Sequence, residues 1–444
     1  MTARPDHTPG DVGDFPRPPF GVGPLPPRSA GMAPAPGCFI LPPYLLERLA
    51  GADNPAVALA GSRTLAVQAT LRGIRATRSA RSSGPAGGRQ THGFIPDTML
   101  RRIPTHVRPP EPARAAPAPV TARRSIYDAG HRSQLPGALR RREEQPPHPD
   151  ESVNEAYDGL GATWRLLLEV YQRDSLDGRG LPLLASVHFE RDYDNAFWDG
   201  QQMVFGDGDG VLFRSFTDAP DVIGHELAHG LTQYTAGLVY VGQSGALNES
   251  ISDVFGVLTT QYLRQQRADE ADWLVGAGLF TERVQGVALR SMKAPGTAYD
   301  DPTLGKDPQP AHFADYVKLA HDEAHDNGGV HINSGIPNHT FYLVATSLGG
   351  FAWERAGQIW FDALTKGGLP KDASFADFAT ATLAAARDRY GASSPEAEAV
   401  AGGWAKVGLP VAAPNQPDAG TAGQTGVPQT GLASSSHSSD RDHL

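Results

Sequence analysis

The fold follows from one stretch, Asp221-Val-Ile-Gly-His-Glu-Leu-Ala-His-Gly-Leu-Thr-Gln-Tyr-Thr-Ala-Gly237. On a helix of about 3.6 residues per turn, His225 and His229 stand one turn apart on the same face. Both imidazoles can therefore reach one metal ion, and Glu226 lies beside them. The spacing predicts a zinc site on a helix with a carboxylate next to the metal.

A second helical stretch supplies a third ligand, because Glu249 and Asp253 are again four residues apart. The chain between His229 and Glu249 is long enough for a helix end, a loop and a second helix that folds back on the first. Two histidines and one carboxylate leave the fourth position of a tetrahedral zinc open for water, as catalysis requires. Asp253 is expected to accept the free N–H of a ligand histidine and so fix its tautomer.

Strand-like segments precede helical ones along the chain. Short strands are expected at Leu183 to Phe189, Asn195 to Trp198, Met203 to Gly206 and Leu212 to Phe216, separated by glycine turns. This order predicts an α+β protein with a cleft between its halves. The expected helices are Glu155 to Arg173, Asp221 to Thr235, Asn248 to Arg264, Ile336 to Leu348, Phe351 to Leu364, Phe375 to Tyr390 and Pro395 to Val407.

Four more blocks accompany the helix motif, which alone can also arise by accident. They are Asn195-Ala-Phe-Trp-Asp-Gly200, Phe205-Gly-Asp-Gly-Asp-Gly210, Leu289-Arg-Ser-Met292 and Asp326-Asn-Gly-Gly-Val-His-Ile-Asn-Ser-Gly335. With these blocks the chain resembles the thermolysin-type (M4) neutral zinc metalloproteases, roughly from Tyr127 to Gly408. The resemblance implies a two-domain fold, β-rich in its N-terminal half and α-helical in its C-terminal half, with the zinc cleft between them.

The resemblance also implies an activity. The implied protein is a zinc-dependent endopeptidase that is made as a zymogen. It is expected to hydrolyse peptide bonds on the amino side of apolar residues by attack of zinc-bound water. Two alternatives from other classes stay open. One is an inactive, zinc-stabilised binding protein, and the other is an interaction protein built on the proline-rich leader.

Roles around the metal follow from the resemblance. Glu226 is the expected general base that takes a proton from water and passes it to the leaving amine. His331 and Tyr240 are the expected hydrogen-bond donors to the oxyanion, and Asp326 is expected to orient His331. A surface-loop histidine is the alternative for His331.

Other residues resemble those that position the substrate in this family. Asn195 and Ala196 match an edge segment that hydrogen-bonds the substrate as an added strand. Arg290 matches a residue that holds a substrate carbonyl near the S1′ pocket. An apolar lining of that pocket predicts preference for an apolar residue after the scissile bond, although ordinary core is the alternative for each lining residue. The lining residues are Phe213, Phe216, Val222 and Leu289.

One departure from the family pattern concerns calcium. Of the expected carboxylate cluster only Asp221 and Asp272 remain, and the oxygens are too few for paired calcium ions. The turn Gly206 to Gly210 is either a single weak ion site or a plain hairpin. Positions where further carboxylates are expected carry Thr260, Leu274 and Ala277.

The N-terminal part differs from the rest in charge. Residues 1–124 hold sixteen Arg and seven Asp or Glu, a net charge of +9, so the remainder carries −19. Short helices are expected after Pro42-Pro43 and over Pro55 to Arg72. The stretch Phe39-Ile-Leu-Pro-Pro-Tyr-Leu45 resembles the short propeptide of the protealysin-like branch of the family. The apolar stripe of the first helix is Leu45, Leu46 and Leu49.

Cys38 is the only cysteine, so the chain has no internal disulfide. A thiolate is a good zinc ligand, and Cys38 is therefore a candidate to occupy the open zinc position and silence the precursor. The alternative is a small side chain buried against the catalytic domain.

Composition divides the chain and excludes some partners. The arginine-rich leader lacks interleaved aromatic residues, and an acidic catalytic part argues against nucleic acid. No apolar stretch approaches the length of a membrane span. We expect a monomer whose partners are polypeptide substrates and its own propeptide. The expected segments are a disordered leader at 1–36, propeptide and cleavable linker at 37–120, catalytic domains at 121–220 and 221–412, and a disordered tail at 413–444.

The location of the protein is left open by the sequence. The family resemblance implies secretion, but the N-terminus lacks the basic and apolar regions of an ordinary secretion signal. A cytoplasmic location is the alternative.

Overall fold

A computed structural model describes residues 38–82, 120–366 and 368–411. Within these residues a mixed sheet dominates the N-terminal half and helices dominate the C-terminal half, which confirms the expected α+β architecture. The segments for which disorder is expected, 1–36 and 413–444, and most of the cleavable linker lie outside the described residues.

The leader contributes strand β1 (Cys38–Phe39) and helices α1 (Pro43–Ala50) and α2 (Pro55–Ser82). Pro at the first position of α1 suits a helix start, because its missing N–H has no helical partner there anyway. Helix α2 continues ten residues beyond the expected end at Arg72. The predicted apolar stripe of α1 is buried, and it comprises Leu45, Leu46 and Leu49.

Besides β1, the main sheet contains β2 (Arg124–Arg132), β3 (Ala138–Arg142), β4 (Leu183–Phe189), β5 (Ala196–Trp198) and β6 (Met203–Phe205). The order of the six strands across the sheet is β1-β5-β6-β4-β2-β3. The neighbouring strands β2, β4 and β6 are parallel to one another, whereas the remaining pairs are antiparallel. The leader therefore forms one edge of this sheet, next to β5.

The strand expected at Leu212 to Phe216 is wrong. Only an isolated bridge joins Phe213 to Phe280. The reason is local, because Asp209 Oδ1 accepts the backbone N–H groups of residues 211, 212 and 213 at 2.8, 2.8 and 2.9 Å. A carboxylate that captures these donors competes with strand pairing and curls the segment into a turn.

Three helices surround the junction of the halves. Helix α3 (Glu151–Arg165) is capped by Asp150, whose side chain accepts the N–H of Ser152, and a π-helical turn follows at Leu166–Val170. The metal-motif helix α4 (Pro220–Gln233) packs on α5 (Gly242–Arg264), which begins six residues before the expected start.

Glycine lets α4 and α5 approach closely. A Cβ built on Gly256 would lie 2.4 Å from the carbonyl oxygen of Asp221, and one on Gly224 would lie 3.0 Å from the Gly256 Cα. Any larger residue at Gly256 would push the helices apart. This contact sets the distance across which side chains of α5 reach the histidines of α4.

The rest of the C-terminal half consists of short strand pairs and five helices within the described residues. One large apolar cluster runs through both halves and includes the leader side chains Ile40, Leu41 and Leu45. Of the helices that the structure describes, none combines the length and apolarity needed to span a membrane. The helices are α6 (Asp326–Asn333), α7 (Gly335–Leu348), α8 (Ala356–Lys366), α9 (Phe375–Tyr390) and α10 (Pro395–Lys406); the strands are β7 (Leu274–Val275), β8 (Arg290–Ser291), β9 (Asp300–Asp301) and β10 (Gly305–Lys306).

Candidate active site

Helices α4 and α5 bring His225, His229 and Glu249 together in a buried cluster. The two Nε2 atoms are 3.0 Å apart, and each lies 3.5 Å from a carboxylate oxygen of Glu249. Ligand atoms held at about 2.0–2.2 Å by a tetrahedral zinc lie roughly 3.3–3.6 Å from one another. The distances to Glu249 fall in this range, and the two histidines are slightly closer together. The three side chains therefore fit a zinc ion.

The outer ring nitrogens of both histidines are fixed by acceptors. His225 Nδ1 lies 2.8 Å from Asp253 Oδ1, and His229 Nδ1 lies 2.8 Å from Asn248 Oδ1 and 3.0 Å from Ser252 Oγ. Because these acceptors favour a proton on each Nδ1, the two Nε2 lone pairs face each other. Such an arrangement is unfavourable unless a cation lies between them.

The protonation states of His229 and Glu249 favour the binding of a cation. Burial lowers the pKa of His229 to about 4, so the ring is neutral near pH 7. Burial alone would raise the pKa of Glu249, but nearby His331, His229 and His225 hold it below its ordinary value. Neutral imidazoles and an ionised carboxylate are the forms that bind zinc.

Asn248 and Ser252, the two residues that orient His229, are not among the residues predicted from the sequence. Asn248 directly precedes Glu249, and Ser252 follows Asn248 at the four-residue spacing that places both on one face of α5. The same spacing led to Glu249 and Asp253. It is therefore the signal by which this second pair can be found.

Asp253 links the cluster on α4 and α5 to Arg290. Its carboxylate accepts from Arg290 Nε and Nη2 at 2.9 and 2.7 Å, and from Asn338 Nδ2 at 2.8 Å. Burial would raise the pKa of Asp253, but Arg290 and His225 hold it well below its usual range. A charged Asp253 thus positions both His225 and Arg290.

Glu226 lies next to His225 on α4 and is fully buried. Its Oε2 accepts the backbone N–H of Trp198 at 2.9 Å. Strand β5 therefore orients this carboxylate from the opposite side of the cleft.

His331 approaches Glu249 from α6, whose first turn is distorted by left-handed residues, among them Gly328 and Gly329. The Asp326 carboxylate accepts from both His331 Nδ1, at 2.6 Å, and the His331 backbone N–H, at 2.9 Å. Burial would lower the pKa of His331, but Asp326 and Glu249 raise it to about 9. The imidazolium form, with a donor at Nε2, is therefore favoured at neutral pH.

Tyr240 lies between the metal cluster and His331. Its phenol donates to Glu249 Oε1, and its oxygen is 3.3 Å from His331 Nε2. Burial raises its pKa well above 10, so the phenol keeps its proton. The two expected oxyanion donors are therefore adjacent to each other and to the metal cluster.

The leader fills the space in front of these groups. His331 Nε2 donates to the Phe39 carbonyl oxygen at 2.8 Å, and Arg290 Nη1 donates to the Ile40 carbonyl oxygen at 3.2 Å. The Ile40 N–H donates to the Ala196 carbonyl oxygen at 3.2 Å. The leader backbone thus contacts His331, Arg290 and Ala196, three residues expected to bind the substrate or the oxyanion.

Asn195 extends the same contact. Its Oδ1 accepts the Leu41 N–H at 2.9 Å, and its Nδ2 donates to the Leu41 carbonyl oxygen at 3.1 Å. Cys38, two residues before Ile40, is buried in a small apolar cluster with Tyr240 and Val330. The side chain of Cys38 therefore lies beside an oxyanion-donor candidate.

The four residues assigned to the S1′ pocket are buried in the main apolar cluster. Phe213 and Phe216 stack with ring centroids 5.9 Å apart, and Leu289 directly precedes Arg290. Pocket lining and ordinary core are both compatible with this burial.

The expected calcium region holds a buried carboxylate. Asp221 accepts the N–H of Gly276, and burial raises its pKa to about 6. Asp272 accepts the N–H of Leu274 at 3.1 Å. In the Gly206 to Gly210 turn, Asp209 Oδ1 is occupied by the three N–H groups described above. Among the described residues, neither of the two His, Cys, Asp and Glu clusters able to hold a metal includes Asp221 or Asp272.

Comparison with known proteins agrees with this geometry. Residues 121–233 match the family model "Thermolysin metallopeptidase, catalytic domain", and residues 236–409 match "Thermolysin metallopeptidase, alpha-helical domain". An extracellular metalloprotease of Pectobacterium carotovorum subsp. carotovorum is 52% identical over 307 residues, which cover 69% of this chain and 86% of that protein.

A more distant relative and a solved structure also belong to this group of metalloproteases. Thermolysin of Alicyclobacillus acidocaldarius subsp. acidocaldarius is 37% identical over 292 residues, covering 64% of this chain and 50% of that protein. The solved precursor of protealysin, a metalloproteinase from Serratia proteamaculans, superposes with a TM-score of 0.69 at 45% identity. That match covers 84% of this chain and 99% of the precursor.

Proposed function

Because the chain belongs to the thermolysin-type (M4) family of zinc metalloendopeptidases, we propose that it is made as a zymogen and cleaves before apolar residues. Residues 37–120 are the propeptide and linker in this proposal, and 121–220 and 221–412 are the two catalytic domains. The observation that supports it best is the hydrogen bond from His331 to the Phe39 carbonyl oxygen.

The chemistry assigns one task to each group. His225, His229 and Glu249 would hold zinc, which when bound makes water a nucleophile near neutral pH and polarises a carbonyl. Glu226, aimed by the Trp198 N–H, takes a proton from the attacking water and passes it to the leaving amine. Asp253 keeps His225 in the tautomer that binds metal.

The oxyanion donors act after attack. His331, held as an imidazolium by Asp326, donates from Nε2 to the carbonyl oxygen as that oxygen gains charge. Tyr240 donates from its phenol once a substrate displaces the present contact with Glu249. Both donors are preorganised by buried partners, which is the condition under which such hydrogen bonds contribute most.

The leader inhibits by occupying the positions of a substrate. Its strand β1 pairs with β5, which would be the edge of the sheet without the leader. The carbonyls of Phe39 and Ile40 accept hydrogen bonds from His331 and Arg290. A polypeptide substrate that adds to the same strand edge competes for the same groups. Bound leader and bound substrate therefore exclude each other.

The proposal also covers substrate preference and location. An apolar S1′ pocket formed by Phe213, Phe216, Val222 and Leu289 would favour an apolar residue after the scissile bond. The names "Extracellular metalloprotease" and "Extracellular minor metalloprotease" of two relatives support secretion.

Casein hydrolysis by the processed protein tests the proposed function. A zinc chelator and the variant Glu226→Gln should each abolish hydrolysis, because one removes the metal and the other the base. Glu282→Gln, an exposed glutamate variant, is the matched control and should hydrolyse casein like the parent. Unchanged hydrolysis in Glu226→Gln would refute the catalytic assignment, and an inactive parent with bound zinc would favour the binding protein.

A further inference from the structure

We propose a second metal site, formed by His131, His188 and Asp207, that binds a divalent transition ion such as zinc. It shares no residue with the cluster on α4 and α5. The proposal rests on the arrangement of strands, on the distances between donor atoms and on the partner of His188.

The sheet topology brings the three residues together. Strands β2, β4 and β6 are adjacent and parallel, so their carboxyl ends meet at one edge of the sheet. His131 is the penultimate residue of β2, His188 is the penultimate residue of β4, and Asp207 follows β6 by two residues. The carboxyl ends of parallel strands are a common location for ligand sites.

The donor atoms are close enough for one ion. His188 Nδ1 lies 2.8 Å from Asp207 Oδ1, and His131 Nδ1 lies 3.5 Å from Asp207 Oδ2. One donor atom from each residue falls within 4.8 Å of the others. Two imidazoles and one carboxylate suit zinc and its neighbours in the first transition row. The His131 side chain is 42% exposed, so an ion and completing water molecules can enter from solvent.

His188 has the partner expected of a ligand histidine. Its Nε2 lies 2.8 Å from Asp150 Oδ2, while its Nδ1 faces Asp207. Asp150 is itself fixed, because its other oxygen caps α3 through the Ser152 N–H. The same relation joins Asp253, His225 and the cluster on α4 and α5, where a carboxylate orients the metal-facing nitrogen.

The backbone at this edge is unusual. His131, His188 and Glu190 adopt φ values of 56°, 54° and 56°, a left-handed region that residues other than glycine rarely occupy. The Glu190 carbonyl oxygen lies 3.2 Å from His131 Nδ1. These conformations aim two imidazoles at the same carboxylate.

The competing interpretation uses the same contacts without metal. His188 then pairs with the carboxylates of Asp150 and Asp207, and His131 Nδ1 donates to the Glu190 carbonyl oxygen beside Asp207. The two interpretations differ in metal content. They also differ in His131, which is needed only if a metal is bound.

Zinc content decides between them. The full-length chain is used as Glu226→Gln to prevent turnover, stripped with a chelator, titrated with zinc and desalted before metal analysis. Two zinc equivalents are expected in this background and one after adding His131→Gln or Asp207→Asn. His325→Gln is the matched control, because His325 is exposed and pairs with Asp322, and it should retain two.

Removing the first site gives an independent readout. With His229→Ala added, one equivalent should remain, and zinc should raise the midpoint temperature of unfolding. Adding His131→Gln as well should abolish both effects. A single equivalent in the Glu226→Gln protein, or two equivalents retained in His131→Gln, would overturn the second site and establish an ion-pair network.

Discussion

His331 Nε2 lies 2.8 Å from the carbonyl oxygen of Phe39, a residue 292 positions earlier in the chain. The hydrogen bond joins the oxyanion-donor candidate to the leader instead of to a substrate. Arg290 is engaged in the same way by Ile40. The leader therefore occupies two donors of the cleft through backbone atoms, which every polypeptide substrate also offers.

Loss of a metal-facing side chain should remove zinc and activity together. In the His131→Gln background, which lacks the second proposed site, His229→Ala should leave no bound zinc and no casein hydrolysis. The reason is that two remaining ligands hold zinc far less firmly than three. Metal analysis after desalting is the measurement, and a full equivalent retained in the His229→Ala protein would refute the ligand assignment.

Cys38 offers a test of how the precursor is kept silent. If its thiolate takes the open zinc position, Cys38→Ser and Cys38→Ala should both speed self-cleavage of the precursor. If Cys38 only packs against Tyr240 and Val330, the apolar Cys38→Ala should behave like the parent. The rate at which full-length chain disappears on a gel separates the two, and an unchanged rate in both variants rules out the thiolate switch.

Periodicity revealed the site because its residues lie on two helices. Four-residue spacing identified His225, His229, Glu249 and Asp253 as neighbours, and these side chains do meet. The same helical spacing predicts the apolar stripe on α1, which is buried. Such patterns work because helix geometry relates residues that are close in sequence.

Other parts of the fold depend on distant contacts. Strand β1 has two residues, and its pairing with β5 spans more than 150 positions, so it leaves no local pattern. The apolar pattern after Gly210 predicts a strand, but the Asp209 carboxylate accepts the backbone N–H groups that strand pairing would need. His131 and His188 lie close together because β2 and β4 are neighbours in the sheet, and no sequence motif predicts this strand order.

Asp221 should make stability depend on pH. Its folded pKa of about 6 exceeds the usual 3.8, so the folded chain holds a proton that the unfolded chain has released. This group therefore destabilises the fold progressively between about pH 4 and 6, and fully above pH 6. Asp221→Asn should raise the unfolding free energy at pH 7.5 by up to about 3 kcal/mol and change it little below pH 4.

The measurement is denaturant unfolding at pH 4 and pH 7.5, with the exposed Asp269→Asn as control. Calcium is then added to the parent. A destabilised Asp221→Asn together with a calcium-stabilised parent would mean that a cation neutralises Asp221, contrary to the expectation from the missing carboxylates.

Self-processing should cut before Val120. Residues 1–124 carry +9 against −19 for the remainder, so docking of the leader is assisted by charge, although such attraction is screened by salt. Val120, the last residue of the proposed linker, is 52% exposed and offers an apolar side chain to the S1′ pocket. Ile126, the other apolar choice nearby, is fully buried in β2 and so protected from cleavage.

Expression of the parent should therefore yield a product that begins near Val120, as read by N-terminal sequencing. Glu226→Ala should accumulate as full-length precursor, because it lacks the base, and active parent added in trans should cleave it. Val120→Asp should slow the cut or move it, since a charged side chain suits an apolar pocket poorly. Efficient cleavage of Glu226→Ala expressed alone would identify a foreign protease and refute self-processing.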